Sequence, residues 1–425
     1  MATTPATPTT TPTDTILGPL GALLPDLQQL YTDIHAHPEL SMQETRTAGL
    51  AAERLRAAGF DVTTGVGKTG VVGLLRRGSG PTVMLRADMD ALPVAEATGL
   101  PYASHATATD RDGKTVPVMH ACGHDMHVAW LAGAAALFAQ AKDTWHGTLM
   151  AVFQPAEETG TGAQAMVDDG LLTRFPKPDV ILGQHVMKGP AGTIGTRPGV
   201  VTSAGDSFEV RLFGRGAHGS MPEASIDPVV MAAATVMRLQ TIVSREVAAT
   251  DAAVVTIGAL QAGTKENVIP NEALLKLNVR TFDADVRNRV LAAMQRIIKA
   301  EAEASGAPRP PEITPLDHYA LVTNDPAATA KVVDAFRHHF PADRLRETKP
   351  APASEDFGTF GATWHAPSVF WFVGGTDPDE YAKAKAAGRT ADLPTNHSPH
   401  FAPVLHPTLE TGVEALVTAA GAWLT

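Results

Sequence analysis

The ten residues Val118–His127 read VMHACGHDMH and hold three histidines, one aspartate and the only cysteine of the 425-residue chain. The stretch His127–Ala141 has helical spacing, so Cys122 and His124 stand just before a predicted helix. Side chains two residues apart in an extended or turning backbone can converge on one pocket. A thiolate and an imidazole suit zinc and neighbouring transition metals. The alternative is a buried cysteine beside solvated histidines, but the density of ligand-type residues favours a metal site.

Short β-like runs and helical stretches alternate on both sides of this segment. The predicted helices around it are Leu23–His37 and Thr45–Ala58, and the predicted strands are Val71–Leu75, Thr82–Arg86, Thr148–Phe153 and Asp179–Gly183. Strands that alternate with helices indicate an α/β fold, with a mostly parallel central sheet and helices on both faces. The same pattern returns near the end of the chain, which closes with the predicted helix Thr408–Trp423.

The pattern changes after about Gly199. The predicted order becomes β-α-β-β-α, with elements Ser207–Phe213, Pro228–Val243, Ala253–Leu260, Ala273–Thr281 and Asp285–Ala304, before a proline-rich segment. We therefore predict an inserted α+β domain at residues 201–314, within the usual size range of a domain. It separates two parts of a catalytic domain, residues 16–200 and 315–425. Residues 1–15 are rich in Thr and Pro and are predicted to be a disordered tail.

Composition restricts the classes of partner. Lys and Arg number 34 and Asp and Glu 45, which gives a formal net charge of −11, and no basic cluster points to nucleic acid. We find no apolar run of membrane-spanning length, so no membrane partner is expected. One cysteine cannot form an intramolecular disulfide, and the start of the sequence lacks the features of a secretory signal. These features predict a cytoplasmic protein.

The segment Gly65–Gly70, GVGKTG, resembles a phosphate-binding loop. The P-loop pattern requires glycine five positions before its Gly-Lys pair, and Val62 occupies that position. A nucleotide enzyme is therefore disfavoured, and we predict a glycine-rich turn between two strands.

Further ligand-type residues follow other predicted strands. Glu157 and Glu158 come after Thr148–Phe153, where neighbouring side chains of an extended segment point in opposite directions. One carboxylate could then bind metal while the other faces a substrate; a solvated acidic loop is the alternative. His185 and His397 alone would each be interpreted as structural. Active sites of α/β proteins lie at strand ends, and that position favours a shared site for these residues.

Seven short segments occur in the order RADMDALP, MHACGHDMH, QPAEE, GQHV, GAHGSMP, NVIPNEA and SEDFG. Together they resemble the aminoacylase/carboxypeptidase family of dinuclear metallopeptidases, in particular its hippurate hydrolase and indole-acetyl-amino-acid hydrolase branch. The resemblance extends from about Leu24 to the C-terminus. It implies a metal-bearing α/β catalytic domain and an inserted lid domain through which two subunits form a homodimer.

The resemblance also implies two divalent metal ions per subunit. Cys122 would bridge the two ions, a position at which other branches of the family carry aspartate. His124 and His185 would complete one metal site, and Glu158 and His397 the other. Zinc is the expected metal, with manganese, cobalt or nickel as alternatives. The single thiol would then be a metal ligand rather than a nucleophile.

The remaining roles implied by the resemblance concern catalysis and substrate binding. Glu157 would act as the general base, and Asp90 would orient the metal centre from behind the ligands. In the lid domain, His218 would stabilise the oxyanion from the neighbouring subunit. Asn267 and Arg280 would bind the substrate, with Arg280 on its α-carboxylate.

The implied reaction is hydrolysis of an N-acyl amino acid, N-acetyl or N-aroyl and hippurate-like, to a carboxylic acid and a free amino acid. A dipeptidase or carboxypeptidase that uses the same dinuclear site is the nearest alternative. A catalytically silent relative that binds acyl amino acids or acts as a dimeric scaffold would be expected to lack the base or a ligand. This sequence retains Glu157 and all five ligand-type residues.

Overall fold

A computed structural model describes residues 11–425 of the chain. Its helices are α1 (Pro12–Leu17), α2 (Leu20–Ala36), α3 (Thr45–Ala57), α4 (His124–Gln140), α5 (Gly162–Asp168), α6 (Leu171–Arg174), α7 (Pro228–Arg245), α8 (Ala284–Ala304), α9 (Pro326–His339), α10 (Gly358–Trp364), α11 (Pro378–Ala386) and α12 (Leu405–Leu424). Its strands are β1 (Asp61–Val66), β2 (Gly70–Arg77), β3 (Thr82–Asp88), β4 (Thr107–Thr109), β5 (Thr115–Pro117), β6 (Gly147–Gln154), β7 (Val180–Pro190), β8 (Ile194–Thr196), β9 (Gly199–Thr202), β10 (Ala204–Phe213), β11 (Ala217–His218), β12 (Ala253–Ala262), β13 (Val268–Ile269), β14 (Glu272–Thr281), β15 (Glu312–Tyr319), β16 (Val322–Asn324), β17 (Leu345–Glu347) and β18 (Ser368–Thr376). Within the described range, no helix is long and apolar enough to cross a membrane.

We predicted a disordered tail at residues 1–15, of which residues 1–10 lie outside the described residues. From Pro12 the structure differs from that prediction, because α1 begins there. Thr11 and Asp14 cap the helix reciprocally, and Ile16 is fully buried. A capping box and one buried apolar side chain therefore outweigh the Thr/Pro-rich composition at these residues.

The first of two compact units comprises the described chain up to Val201, Thr323–Lys349 and Phe357–Thr425. Its eight-stranded sheet has the order β1-β2-β6-β3-β7-β18-β8-β17. The pairs β6–β3, β3–β7, β7–β18 and β8–β17 are parallel, and the others are antiparallel. The α/β class with a mostly parallel central sheet is confirmed.

The register of the central strands explains where the polar side chains meet. Asp88 at the end of β3 pairs with Gln154 at the end of β6, and Arg86 pairs with Gly183 of β7. His185, two residues after Gly183, therefore lies level with Asp88. Parallel strands that end together place their following loops at one edge of the sheet.

The GVGKTG segment forms the predicted turn between two strands. Strands β1 and β2 pair in an antiparallel hairpin with Val66 opposite Gly70. Gly65 and Gly67 have φ values of 78° and 64°, which glycine adopts without steric cost. No helix begins at this segment, so it lacks the helix N-terminus that a phosphate loop requires.

The second compact unit comprises Thr202–Val322 and Pro350–Asp356. Its antiparallel sheet has the order β12-β14-β10-β15. Helices α7 and α8 contribute buried side chains such as Leu239 and Ile298 to one apolar cluster with the sheet. The α+β character predicted for the inserted segment is found in this unit.

The boundary predicted at residue 314 differs from the structure, because β15 continues the sheet through Tyr319. The predicted boundary followed the proline-rich segment that ends near Pro315. Pro315 is tolerated because β15 is an edge strand and its register shifts beside Phe208 of β10. A proline at an edge or a bulge removes no required ladder hydrogen bond.

Candidate metal centre

The turn before α4 places a thiol and an imidazole at the edge of the sheet. Gly123 has φ 82°, and a side chain there would overlap the side chain of Val186. Only glycine fits this turn without strain. Helix α4 begins at His124, three residues earlier than predicted, and both Cys122 and His124 are buried.

His124 presents one ring nitrogen to the centre of the cluster. Its Nδ1–H donates to the carbonyl oxygen of Asp90 at 2.8 Å. Its Nε2 is buried without a hydrogen-bond partner and lies 3.9 Å from a carboxylate oxygen of Glu157 and of Glu158. A buried nitrogen without a hydrogen bond is costly unless another species engages it. This atom fits the role of a metal ligand.

His185 lies inside β7, which is longer than the predicted strand. Its Nδ1–H donates to the carbonyl oxygen of Val186 at 2.7 Å, which leaves the lone pair on Nε2. Nε2 is 3.5 Å from Cys122 Sγ. The backbone carbonyl therefore sets the tautomer that aims Nε2 at the thiol, a common arrangement for a metal-binding histidine.

Glu157 and Glu158 lie in a turn rather than in an extended segment. Their predicted opposite orientation is wrong, because both carboxylates come within 3.9 Å of the same nitrogen of His124. Asp90 accepts the backbone N–H groups of both glutamates at 3.0 Å and a hydrogen bond from Ser41 Oγ at 2.6 Å. Asp90 thus fixes the turn from behind.

His397 comes from the loop before α12. Its φ is 72°, its N–H donates to the carbonyl oxygen of Ala121 at 2.8 Å, and its Nε2 lies 3.3 Å from Glu158 Oε2. The preceding Asn396 donates to the carbonyl oxygens of Cys122 and Val186 at 3.2 and 3.0 Å. Sequence reasoning missed Asn396, whose only signal was its place beside His397.

The structure brings all five predicted ligands together. Ligand atoms of Cys122, His124 and Glu158 lie within 4.8 Å of one another. His185 and His397 each contact one of these three, at the distances given above. A thiol, imidazoles and a carboxylate form a donor set that suits zinc and related divalent ions.

A second group joins Asp88 with His124, His127 and His185. His127 Nε2 accepts the Val186 N–H at 2.9 Å, and its Nδ1 contacts Asp88 Oδ1 at 2.5 Å. Both nitrogens of His127 are thus engaged in hydrogen bonds within the protein. This geometry gives His127 a structural role and leaves Asp88 as a buried anion beside the histidines.

Burial and the nearby carboxylates shift the pKa values of several side chains in the cluster. Burial lowers the pKa of His124, but Asp88 and the hydrogen bond with Asp90 outweigh it, so that the pKa lies above its ordinary value. Hydrogen bonds with Cys122 and Glu158 raise the pKa of His397 to about 10. Burial, followed by the charge of Glu158, raises the pKa of the Cys122 thiol. A divalent cation would neutralise the same field and deprotonate the thiol.

The three predicted lid residues all lie in the second unit. His218 in β11 is exposed and pairs with Val268 of β13, next to Asn267. The carbonyl oxygen of Asn267 accepts the N–H of Gly219 at 2.8 Å, so these two predicted residues are neighbours. Arg280 in β14 donates to the Pro352 carbonyl oxygen at 2.8 Å and to Ser354 Oγ at 3.1 Å.

Known proteins match this chain over most of its length. The sequence model of Peptidase family M20/M25/M40 matches residues 84–394. N-acetyl-L-cysteine deacetylase of Bacillus subtilis is 36% identical over 371 residues, which cover 85% of this chain and 82% of the relative. Hippurate hydrolase of Campylobacter jejuni is 38% identical over 338 residues, 79% of this chain and 85% of the relative. A solved Bacillus subtilis protein, YXEP, described as a dinuclear metal binding peptidase, has a TM-score of 0.74 at 30% identity and covers 94% of this chain and 98% of its own.

Proposed function

The chain belongs to Peptidase family M20/M25/M40, and on that premise we propose that it is a metal-dependent amidohydrolase of N-acyl amino acids. The products are a carboxylic acid and a free amino acid. The observation that carries the proposal is the buried Nε2 of His124, which has no hydrogen bond and faces a thiol and two carboxylates. The names of the relatives, N-acetyl-L-cysteine deacetylase and hippurate hydrolase, support an N-acetyl or N-aroyl substrate.

The five clustered ligands would hold two divalent metal ions. Cys122 would bridge them, with His124 and His185 on one ion and Glu158 and His397 on the other. When bound, such ions lower the pKa of a water molecule and polarise a carbonyl group. We propose zinc, with manganese, cobalt or nickel as alternatives, because thiolate and imidazole ligands suit these metals.

Glu157 would act as the proton shuttle. Its carboxylate reaches the same nitrogen as that of Glu158, and its backbone N–H is fixed by Asp90. From this position the carboxylate takes a proton from the attacking water and returns it to the leaving amine. Asp90 is a positioning residue that holds the turn and His124.

We assign the substrate-binding roles from the family resemblance. His218 would stabilise the oxyanion from the neighbouring subunit, and Asn267 and Arg280 would bind the substrate, Arg280 through the α-carboxylate. The pairing of β11 with β13 makes His218 and Asn267 neighbours. This is consistent with both residues contacting the same substrate molecule.

We also propose a homodimer formed through the second unit. Strand β12 is an edge of its sheet, and Val254 and Leu260 on it are 49% and 45% exposed. On α7, Val230 and Met237 are 65% and 71% exposed, and they are seven residues apart on one helix face. An apolar face beside an unpaired strand edge favours association with a second copy.

The single cysteine, which forms no disulfide, is in keeping with a proposed cytoplasmic location.

A dipeptidase or carboxypeptidase is the second candidate, since the YXEP protein is described as a peptidase. It would use the same ligands and the same base. The two candidates differ in the group on the acyl side of the amide bond, which is an amino acid residue in a dipeptide.

The deciding experiment measures amino acid release from N-acetyl, N-benzoyl and dipeptide substrates. The protein is stripped of metal by a chelator and then reloaded with zinc, manganese, cobalt or nickel. We expect release that depends on metal and is faster for N-acyl amino acids than for dipeptides. Faster release from dipeptides would favour the peptidase, and no release with any metal would contradict the proposed function.

A further inference from the structure

Three consecutive amide groups in the turn Ala156–Glu158 donate to buried carboxylates from other parts of the chain. Asp90 accepts the N–H groups of Glu157 and Glu158, each at 3.0 Å. Glu44 Oε1 accepts the N–H of Ala156 at 2.8 Å. Two acidic side chains, and not one, therefore hold the backbone from which the proposed base and a proposed metal ligand project.

The residue held by Glu44 has a strained backbone. Ala156 has φ 49°, in the left-handed region that residues with a side chain rarely adopt. Such a conformation persists where surrounding contacts over-determine it. The hydrogen bond to Glu44 is made by the N–H of this same residue, one position before Glu157.

Glu44 itself is tightly held and fully buried. Its Oε1 also accepts the N–H of Met42 at 2.9 Å, and its Oε2 accepts Thr69 Oγ1 at 2.6 Å, from the hairpin turn between β1 and β2. Three separate segments of the first unit meet at this one carboxylate. It therefore cannot move without breaking several hydrogen bonds.

Glu44 has the position of a helix cap but does not act as one. It is the N-cap residue of α3, yet its side chain makes no capping hydrogen bond. Glu39 makes the capping hydrogen bonds instead, since its two carboxylate oxygens accept the N–H groups of Arg46 and Thr47 at 2.8 Å. The side chain of Glu44 is thus diverted from its own helix to the turn at Ala156.

We propose that Glu44 is a positioning residue for Glu157, which fixes the turn Ala156–Glu158 by accepting the N–H of Ala156. The inference rests on the proposed function of Glu157 as the proton shuttle. A base that shifts by about 1 Å loses on the order of 100-fold in rate. Loss of the acceptor at Glu44 should therefore lower kcat. Metal should still bind, because the Glu158 N–H keeps its own hydrogen bond to Asp90 and the other four ligands lie outside the turn.

The test compares four variants of the full-length, metal-loaded protein. Glu44→Ala removes the acceptor, and Glu44→Met removes it while it fills the space. Glu44→Gln restores it, because the amide oxygen can accept the same N–H groups and the amide nitrogen can donate to Thr69. Glu39→Ala is the matched control, which also deprives two backbone N–H groups of a carboxylate but does not touch the turn.

For Glu44→Ala and Glu44→Met we expect kcat to fall about 100-fold, with KM changed by less than about threefold and metal content unchanged. Hydrogen exchange should become faster in the peptide spanning residues 154–160. Glu44→Gln should keep kcat within about fivefold of wild type, and Glu39→Ala should leave kcat and exchange in that peptide unaltered.

Three results would overturn the proposal: wild-type kcat in Glu44→Met, a loss in Glu44→Gln as large as in Glu44→Met, or a loss of metal in proportion to activity. If the wild-type protein releases no amino acid, the proposed function of the site fails instead. The rates of hydrogen exchange in Glu44→Met and Glu39→Ala then still decide whether Glu44 holds the turn. Equal rates in residues 154–160 of the two variants would refute that role.

Discussion

Glu157 is the side chain on which the proposed reaction depends most directly. Glu157→Gln keeps the shape of the side chain and removes its ability to take a proton. We expect kcat to fall by about 10²- to 10⁴-fold, the usual contribution of a general base. Metal content, measured by atomic emission, should stay at the wild-type value because the five ligands are unchanged. Activity that survives largely intact would contradict the assignment.

Cys122 is the residue whose loss should affect the metals first. Cys122→Ala removes the proposed bridging ligand, so we expect metal content per chain to fall well below that of the wild-type protein. Cys122→Asp is the matched comparison, since a carboxylate can also bridge two ions, and it should retain more metal. An alanine variant that binds metal as well as wild type would exclude the bridging role.

The buried carboxyl of Glu44 predicts a pH-dependent stability. Burial, followed by repulsion from Asp90, raises the pKa of Glu44 from 4.5 to about 7. Because the folded-state pKa is the higher one, the contribution of this group is fully present below about pH 4.5 and is lost as pH rises through about 7. The Glu44→Gln side chain does not titrate. The free energy of unfolding of this variant should therefore increase relative to that of the metal-free wild type as pH rises.

Urea unfolding at pH 5 and pH 8, with a chelator present, measures this difference. We expect the stability of Glu44→Gln relative to wild type to increase by on the order of 2 kcal/mol between these pH values. A difference that does not change with pH would show that Glu44 titrates as an ordinary exposed carboxyl.

At the scale of the elements, the close contact between α4 and α12 supports the turn that carries Cys122 and His124. A side chain on Gly412 of α12 would overlap the indole ring of Trp130 in α4. Trp130 Nε1 also donates to the carbonyl oxygen of Thr408 at 3.0 Å. Only glycine fits at position 412, because the indole ring of Trp130 occupies the space that a side chain would need.

Gly412→Ala should therefore lower the free energy of unfolding by about 1–3 kcal/mol, the usual cost of overpacking. Gly49→Ala in α3 is the matched control, because its added Cβ meets no atom within 4 Å. There we expect a gain of about 0.5–1 kcal/mol from helix propensity. Chemical denaturation of both variants measures the two changes, and equal effects would refute the packing argument.

At the scale of the whole molecule, the proposed dimer makes a prediction about solution state. The double change Val230→Lys and Met237→Lys places two charges on the exposed apolar face of α7 and should weaken association. The control Gln28→Lys and Gln29→Lys adds the same charge at exposed positions of α2. Sedimentation velocity should show a dimer for wild type and control and a shift to monomer for the α7 variant. A monomeric wild type would contradict the proposal.

Local patterns were sufficient to predict many of the longer helices and strands and to mark residues of ligand type. Strand and helix periods are properties of neighbouring residues, so β2, β3, β6 and α3 were predicted within a few residues of their observed ends. The ligand types in VMHACGHDMH and QPAEE specify the chemistry in the same way, since a thiol and imidazoles suit one class of metal wherever they meet.

Geometry between distant segments could not be predicted from such patterns. The sequence by itself determined the α/β class, the inserted α+β segment, the family resemblance and the five candidate ligands. Only the tertiary structure decided that both glutamates turn toward His124, that β15 completes the second sheet, and that Glu44 and Asn396 support the centre. The physical reason is that these features depend on strand register and on side chains far apart in the chain, whereas period and composition report only local neighbours.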